Sequence, residues 1–380
     1  MSPTLGSLST LFQGLALFLG AAIGSFLNVC IYRLPLGLSV NQPRRSFCPA
    51  CKHPIPWFLN IPLLSWLWLR GRCANCHIHI PVRYPAVELI TALLFLGLWE
   101  KFAPADPLQH PPLLILPLWV LAALLITATF IDFDHYIIPD PITLGGTVAG
   151  LLFSTLIPVL HQTDSHTAGA LWSLLGAATG FFSLWAVVEL GKLAFGKKRV
   201  RLDSPQPMTW TLQGDDAELV LGEDRSLWSE MFARPSDRLL VQANWVEIEG
   251  NRWENVLLTF EYEQLSVADR KWDLNQVREI RAAVTSLVIP REAMGFGDVK
   301  FMACIGAFLG WKAALFTFFA ASCIGALVGI AAILLRRREA SSRIPFGPYL
   351  AAAALLWIFA GQTLLDGWLA ITAPDPASAF

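Results

Sequence analysis

The sequence is poor in charged residues, which make up only 15% of its 380 positions, whereas hydrophobic residues make up 54%. Soluble globular domains carry about 25% charged residues. This composition, with a mean hydropathy of +0.51, therefore excludes an ordinary soluble protein. The net charge of −1 gives no indication of nucleic-acid binding, and we predict no nucleic-acid partner. The chain is predicted to be an α-helical polytopic membrane protein in contact with a lipid bilayer.

Apolar runs long enough to span a bilayer recur along the chain, since a spanning helix needs about 20 mostly apolar residues. We predict about eight transmembrane helices, at 11–32, 86–102, 113–131, 142–160, 170–195, 299–311, 313–335 and 348–370. The sixth is short. It is expected to begin below the bilayer surface or to line a cavity.

Lysine and arginine are absent from 103–112 and 161–169 and concentrated in 33–85, 196–298 and 336–347. Because these cations accumulate in cytoplasmic loops, the pattern predicts that both termini face outward. The first apolar segment also lacks a basic region before it and a small-residue cleavage site after it. It is therefore expected to be a retained helix and not a signal peptide.

Two aspartates lie at the ends of apolar segments on the predicted cytoplasmic side. Asp298 follows Gly295 and Gly297, which permit a positive φ or a close backbone approach, and Asp132 closes an upstream run. An ionisable residue at a membrane segment is costly and indicates function when it has a partner. Two such carboxyls can share a proton and act as general acid and general base. Alternatively, both aspartates only cap helices.

Two C-x-x-C pairs lie in the first basic loop and predict a cytoplasmic four-cysteine zinc-binding loop. The four ligands would be Cys48, Cys51, Cys73 and Cys76. The alternative is a pair of disulfides, which rarely persist in a reducing cytoplasm.

Four strings occur in an order that resembles the type IV prepilin peptidases, intramembrane aspartyl proteases of the GxGD kind. They are IDFDHYIIPD (131–140), MGFGDVK (294–300), FMACIGAFLGW (301–311) and IPFGPY (344–349). The resemblance implies a protein of the bacterial inner membrane that cleaves prepilins or type II secretion pseudopilins, with Asp132 and Asp298 as catalytic residues. It also implies that Pro345, Gly347 and Pro348 support the active site.

Lys300, just inside the sixth segment, is a further candidate for active-site support. It would bias the proton balance of the two aspartates or bind an acidic position of the substrate. The alternative is that its side chain extends to the membrane interface.

The resemblance implies a second activity, N-methylation of the new N-terminus with S-adenosylmethionine as cofactor. Matching strings at 24–35 and 84–88, with a glycine in the cysteine loop, give as candidate residues Gly24, Asn28, Arg33, Gly71 and Glu88. Asn28 is alternatively a helix-packing amide, and Glu88 alternatively favours a helix N-terminus. The sequence has no G-x-G-x-x-G fingerprint, so only the resemblance supplies this site.

Residues 197–292 have a soluble composition and interrupt the usual layout of the family. Alternating segments at 217–221, 239–243, 245–249 and 257–262 predict strands, and 274–284 is predicted to be helical. Its core is predicted to hold Trp210, Trp228, Trp245, Trp253 and Trp272. The segment is either an inserted small β-rich cytoplasmic domain that only packs on the membrane domain or a site for an unknown regulatory ligand or partner.

The predicted organisation has four parts. They are 1–85 with the first helix and zinc loop, 86–196 with helices two to five, the 197–292 insert, and 293–380 with the GxGD motif and the last helices. Two other function classes compete with a protease. A proton-coupled transporter would explain paired membrane acids but neither the cysteine pairs nor the motif order. A sensor with a degenerate protease core is disfavoured because both aspartates are present.

Overall fold

The structure of the protein is a computed structural model. It describes residues 3–43, 46–48, 50–104, 112–195, 197–213, 216–222, 224–228, 238–268, 270–290, 295–335 and 345–372. The chain divides into two compact units, one of Met1–Trp185 with Gly295–Phe380 and the other of Ala186–Met294. Residues Arg336, Arg337 and Arg338, used above to orient the chain, lie outside the described residues.

The first unit is helical. Its helices are α1 (Pro3–Arg33), α2 (Leu64–Trp68), α3 (Arg83–Phe102), α4 (Ile115–His135), α5 (Asp140–Leu156), α6 (His166–Phe195), α7 (Phe296–Leu334) and α8 (Gly347–Thr372), with α6 continuing into the second unit. Five of them, α1, α4, α6, α7 and α8, are long and apolar enough to cross a membrane. The chain is therefore a multi-pass membrane protein, as its composition predicts.

Helix α7 covers both the sixth and the seventh predicted segments. Its one non-helical residue is Gly310, with φ 82° and ψ 174°, two residues before the predicted gap. Such a break leaves carbonyl groups of the preceding turn without helical donors. Two hydroxyls supply donors instead, because Ser154 and Ser173 donate to the carbonyl oxygen of Ala307 at 3.2 and 2.8 Å.

Small residues bring the membrane helices close together. Gly176 of α6 faces Gly306 of α7 so closely that a Cβ on Gly176 would overlap the Gly306 carbonyl oxygen. Glycine contacts of this kind are common between membrane helices, because association in lipid depends on close van der Waals packing.

The second unit is an antiparallel sheet. Its strands are β1 (Lys197–Gln213), β2 (Asp216–Leu221), β3 (Asp224–Leu227), β4 (Leu239–Ile248), β5 (Asn251–Phe260), β6 (Gln264–Val267), β7 (Arg270–Asp273) and β8 (Glu279–Pro290), in the order β3-β2-β1-β8-β4-β5-β6-β7. The four predicted strand segments lie largely within β2, β4 and β5. Lys197 pairs with Pro290, so the first and last strands bring the ends of the insert together.

The predicted helix at 274–284 is wrong. Residues 274–276 form a turn, 277–278 are irregular, and β8 begins at Glu279, pairing with both β1 and β4. Leu274, Val277, Ile280 and Val284 are buried and follow a helical spacing. From Ile280 onward, however, the buried positions also alternate with a period of two, and ladder pairing on both sides selects the strand.

The tryptophan core is confirmed only in part. Trp210 and Trp228 are buried with ring centroids 5.9 Å apart, and Trp253 and Trp272 pack against the core from its margin. Trp245 lies outside it, with the Arg252 guanidinium 4.6 Å from its ring centroid. A bulge between Ala243 and Trp245 shifts the alternation of β4, so that Trp245 leaves the core face.

Candidate active site and cysteine cluster

Two helix ends place the aspartates. Helix α4 ends where Tyr136 takes a left-handed conformation (φ 55°, ψ 32°), which leaves Asp132 in its last turn. Helix α7 begins after Gly295, which leaves Asp298 in its first turn. Both are buried, at 4% and 8% exposure, and they lie near enough for the charge of one carboxyl to act on the other. The structure therefore brings together two acids that are 166 positions apart in the sequence.

Gly347, at the start of α8, closes the site against Asp132. Its N–H donates to Asp132 Oδ2 at 2.8 Å. A Cβ on Gly347 would lie 2.8 Å from that oxygen and 3.0 Å from Ile138 Cδ1. Pro345 and Pro348, on either side, are buried. The glycine thus lets the backbone of α8 reach the carboxylate, which no larger residue permits without displacing it.

Of the two GxGD glycines, Gly297 makes the close approach. A Cβ on Gly297 would lie 3.3 Å from both the N and the O of Ile138, whereas one on Gly295 would make only an ordinary contact, 3.4 Å from Asp298 Oδ2. The positive φ that glycine also permits is not used at Gly295, whose φ is −66°. Ile138, which the sequence reasoning did not single out, lies close to both Gly297 and Gly347. Its only sequence signal is its place in the string after Asp132.

Asp298 Oδ1 is a buried polar atom with no hydrogen-bond partner among the described residues. Buried polar atoms are nearly always paired, so an unpaired carboxyl oxygen beside a second carboxyl calls for a proton, a water molecule or a substrate group. Asp132 differs, because Gly347 already occupies one of its oxygens.

The other acids of the two motifs form ion pairs on the surface. Lys300 Nζ lies 2.6 Å from Asp140 Oδ1, so it forms an ion pair with Asp140 and not with either of the two buried aspartates. Asp134 pairs with Arg83 at the start of α3. Both acids are much more exposed than Asp132 and Asp298, which separates them from the buried pair.

The four candidate metal ligands converge. All are free thiols, and the sulfur atoms of Cys48, Cys51, Cys73 and Cys76 lie within 4.8 Å of one another. The Cys48 and Cys76 sulfurs are 3.8 Å apart. A tetrahedral site with metal–sulfur bonds of about 2.3 Å places its sulfurs about 3.8 Å apart. The spacing excludes a disulfide, and the cluster is suited to hold a metal ion.

Two backbone turns of the same form build this cluster. In each, the first cysteine N–H donates to the carbonyl five residues later: Cys48 to His53 at 3.0 Å and Cys73 to Ile78 at 2.9 Å. The residue after each second cysteine, Lys52 or His77, has a positive φ of 57°. Hydrogen bonds from the His53 backbone and the Asn75 side chain lower the pKa of Cys51 to about 6, which favours the thiolate that a metal binds. Cys76 differs: despite a hydrogen bond from the Ile78 backbone, burial and the other three thiols raise its pKa to about 11.

A cavity of about 260 Å³ lies between the cysteine loop and the ends of α1 and α3. Three of the candidate methyltransferase residues line it: Asn28, Arg33 and Glu88. Asn28 Nδ2 donates to the Tyr84 carbonyl at 3.1 Å, and Glu88 Oε2 accepts from the Leu63 N–H at 2.7 Å. The first contact joins α1 to α3, and the second joins the cysteine loop to α3.

The other two candidates, Gly24 and Gly71, contact residues that line the cavity. A Cβ on Gly24 would lie 2.7 Å from Glu88 Cα, and one on Gly71 would lie 2.9 Å from the Trp66 ring, which lines the cavity. Arg33 Nη1 donates to the carbonyls of Ser39, Val40 and Pro43. Its guanidinium therefore organises the loop that follows α1.

Comparison with known proteins identifies the family. The prepilin leader peptidase/N-methyltransferase of Aeromonas hydrophila is 32% identical over 373 residues, covering 91% of each chain. The chain belongs to the prepilin leader peptidase/N-methyltransferase family. A protein of the same name from Myxococcus xanthus is 39% identical over 212 residues, which cover 54% of this chain and 58% of that protein. Another from Klebsiella pneumoniae is 40% identical over 195 residues, which cover 49% of this chain and 77% of that protein. No solved structure matches the chain.

Two family models locate the parts of this prepilin peptidase. The bacterial peptidase A24 N-terminal domain matches residues 18–102, which contain the cysteine cluster and the cavity. The type IV leader peptidase family matches 119–198 and 280–330, which contain Asp132 and Asp298. The interruption at 199–279 falls within the sheet.

Proposed function

We propose that this protein cleaves the leader peptide of type IV prepilins or type II secretion pseudopilins at the cytoplasmic face of the bacterial inner membrane, and then N-methylates the new N-terminus. The observation that carries the proposal is that Asp132 and Asp298 are both buried and near enough for the charge of one to act on the other. The competing hypothesis, a proton-coupled transporter, does not explain the cysteine cluster.

The two aspartates supply both halves of peptide hydrolysis. The ionised carboxyl accepts a proton from water as the water attacks the scissile carbonyl, and the protonated one donates to the carbonyl oxygen. The Gly347 N–H on Asp132 stabilises a carboxylate there, because a hydrogen bond to the charged form favours that form. We therefore assign the base to Asp132 and the acid to Asp298, whose Oδ1 has no hydrogen-bond partner among the described residues.

The break at Gly310 supports a count of eight spans. Helices α1, α3, α4, α5, α6 and α8 supply six, and the two halves of α7 supply two more. An even count puts both termini on the same side of the membrane. If the basic loops are cytoplasmic, as lysine- and arginine-rich loops usually are, both termini face outward and the aspartates and the cysteine loop face the cytoplasm.

We assign the metal of the cysteine cluster as zinc, held by Cys48, Cys51, Cys73 and Cys76. Four thiolates with tetrahedral spacing are the usual ligands of a closed structural zinc site. The loop has few other means of folding, so metal binding would supply its stability.

The cavity beside the zinc loop is the proposed S-adenosylmethionine site. Its volume of about 260 Å³ lies just below the range of small-molecule pockets, which begins at about 300 Å³. When bound, this cofactor supplies an electrophilic methyl group on a cationic sulfur. The Glu88 carboxyl and the aromatic rings of Tyr32 and Tyr84 line the cavity and suit a cation. Asn28 and Glu88 would hold the cofactor, and Arg33 would hold the loop over it.

The experiment that tests the whole proposal uses the purified protein in detergent with a prepilin and labelled S-adenosylmethionine. Mass spectrometry of the product should show loss of the leader and one added methyl group at the new N-terminus. An uncleaved prepilin would refute the protease. A cleaved but unmethylated product would refute only the methyltransferase.

Gly347→Ala is expected to lower the cleavage rate about 100-fold, because a displacement of about 1 Å in a catalytic group costs that much. The new Cβ would lie 2.8 Å from Asp132 Oδ2 and must move that carboxylate. The matched control is Gly145→Ala on α5, where a Cβ meets nothing within 4 Å. Initial rates of prepilin processing measure both variants, and equal rates would show that Gly347 does not position Asp132.

Replacing 200–288 by a short Gly/Ser linker is expected to leave cleavage measurable. Lys197 and Pro290 are ladder partners, so a short linker can join the ends without moving the membrane helices. Rate and substrate preference are expected to change modestly, because the insert rejoins the chain just before Gly295. A truncated protein that enters membranes and binds zinc but cleaves nothing would show instead that the insert completes the active site.

A further inference from the structure

Helix α2, between the two cysteine pairs, exposes an apolar face. Leu64, Leu67 and Trp68 are 63%, 64% and 86% exposed. Their i, i+3, i+4 spacing puts them on one side of the helix. A water-facing loop helix would be expected to carry polar residues there, so this face calls for an apolar occupant.

The opposite side of α2 is fixed to the protein. The Trp66 indole N–H donates to the Ile80 carbonyl at 3.1 Å, and Ser65 Oγ accepts from the Ile61 N–H at 2.9 Å. Glu88 of α3 accepts from the Leu63 N–H at the start of the helix. The exposed apolar face of α2 therefore belongs to a helix that hydrogen bonds fix to the rest of the protein.

The contact with Glu88 also sets the depth of α2. Glu88 lies beside Gly24 of α1, and α1 continues from Gly24 to Arg33, which is about 13 Å at 1.5 Å per residue. A glutamate side chain is shorter than this span. Leu63 therefore lies at a level between Gly24 and the end of α1 at Arg33. At this level α1 and α3 expose apolar side chains such as Phe26 and Leu89.

We propose that α2 is an interfacial anchor that inserts Leu64, Leu67 and Trp68 into the lipid leaflet at which α1 ends. Tryptophan is enriched at the boundary between acyl chains and headgroups. Amphipathic helices that lie in this boundary bury their apolar face about 5–10 Å into it. Arg70 and Arg72 follow the helix, are exposed, and suit the lipid phosphates. The anchor would tie the cysteine loop to the membrane surface.

The test uses the full-length protein in vesicles whose phospholipids carry bromine on their acyl chains. The chain has 15 tryptophans, so the Trp68 signal is obtained as the difference between the wild type and Trp68→Phe. Zinc content checks that each variant is folded. Trp172, exposed on the membrane helix α6, gives the lipid-facing reference through Trp172→Phe.

We expect Trp68 emission to be quenched by bromine on the upper acyl chain more than by bromine near its end, and hardly by aqueous iodide. Leu64→Gln with Leu67→Gln should shift Trp68 emission to the red and increase its quenching by iodide several-fold. Quenching of Trp68 by iodide alone in the wild type would overturn the proposal in favour of a water-exposed loop. Quenching by neither agent would also overturn it, since protein would then cover the face.

Discussion

Asp132→Asn and Asp298→Asn are each expected to lower prepilin cleavage at least about 100-fold, because general acid–base catalysis contributes about 10²- to 10⁴-fold. Asparagine keeps the shape of each side chain and removes its ability to exchange a proton. With either carboxyl lost, the remaining one cannot serve as both base toward water and acid toward the carbonyl. Mass spectrometry of the prepilin N-terminus after incubation with each purified variant measures the loss.

Asp134→Asn and Asp140→Asn are the matched controls, since they make the same change in the motif that carries Asp132. Their carboxylates form exposed ion pairs with Arg83 and Lys300. Exposed pairs are worth at most about 1 kcal/mol, so these variants should retain most of the activity. Zinc content and detergent-extracted yield check folding. Near-normal processing by either Asp132→Asn or Asp298→Asn would remove the basis for the proposed dyad.

The candidate site shows which residues of a membrane enzyme can be predicted from the sequence. A carboxylate at the end of an apolar run is rare enough to mark Asp132 and Asp298 by itself. Their partners carry no such mark. The Gly347 N–H that binds Asp132 is a backbone group, and any residue offers one. The packing of α8 against α4 brings the N–H of residue 347 to Asp132. This packing requires glycine at position 347.

The inserted sheet shows the same limit. Alternation located β2, β4 and β5 because half-buried strands follow a period of two. One bulge was enough to reverse the face of Trp245 within β4, and a local pattern does not reveal where a bulge falls. The first residues of β8 match a helical spacing as well, so only its pairing with β1 and β4 decides the outcome.

The cysteine cluster gives the second large expected effect. Cys48→Ser with Cys76→Ser should abolish tight metal binding, because two serine hydroxyls replace thiolates in a four-sulfur site. Structural zinc contributes about 10–16 kcal/mol to folding in small zinc peptides, far more than this loop can replace. Metal analysis of the purified variant should show that its zinc content has fallen from one zinc per chain to almost none. The control is Cys323→Ser, an exposed thiol on α7 outside the cluster.

The two activities should respond differently to this loss of zinc. Cys48 and Cys73 line the proposed cofactor cavity, so the cavity should lose its wall and methylation should fall below detection. Asp132 is held instead by the Gly347 N–H, and Asp298 lies in the first turn of α7. Cleavage should therefore persist at a reduced rate, and the product should accumulate with an unmethylated N-terminus. Full zinc content in the double variant would refute the site. Equal loss of both activities would show that the zinc loop also supports the aspartates.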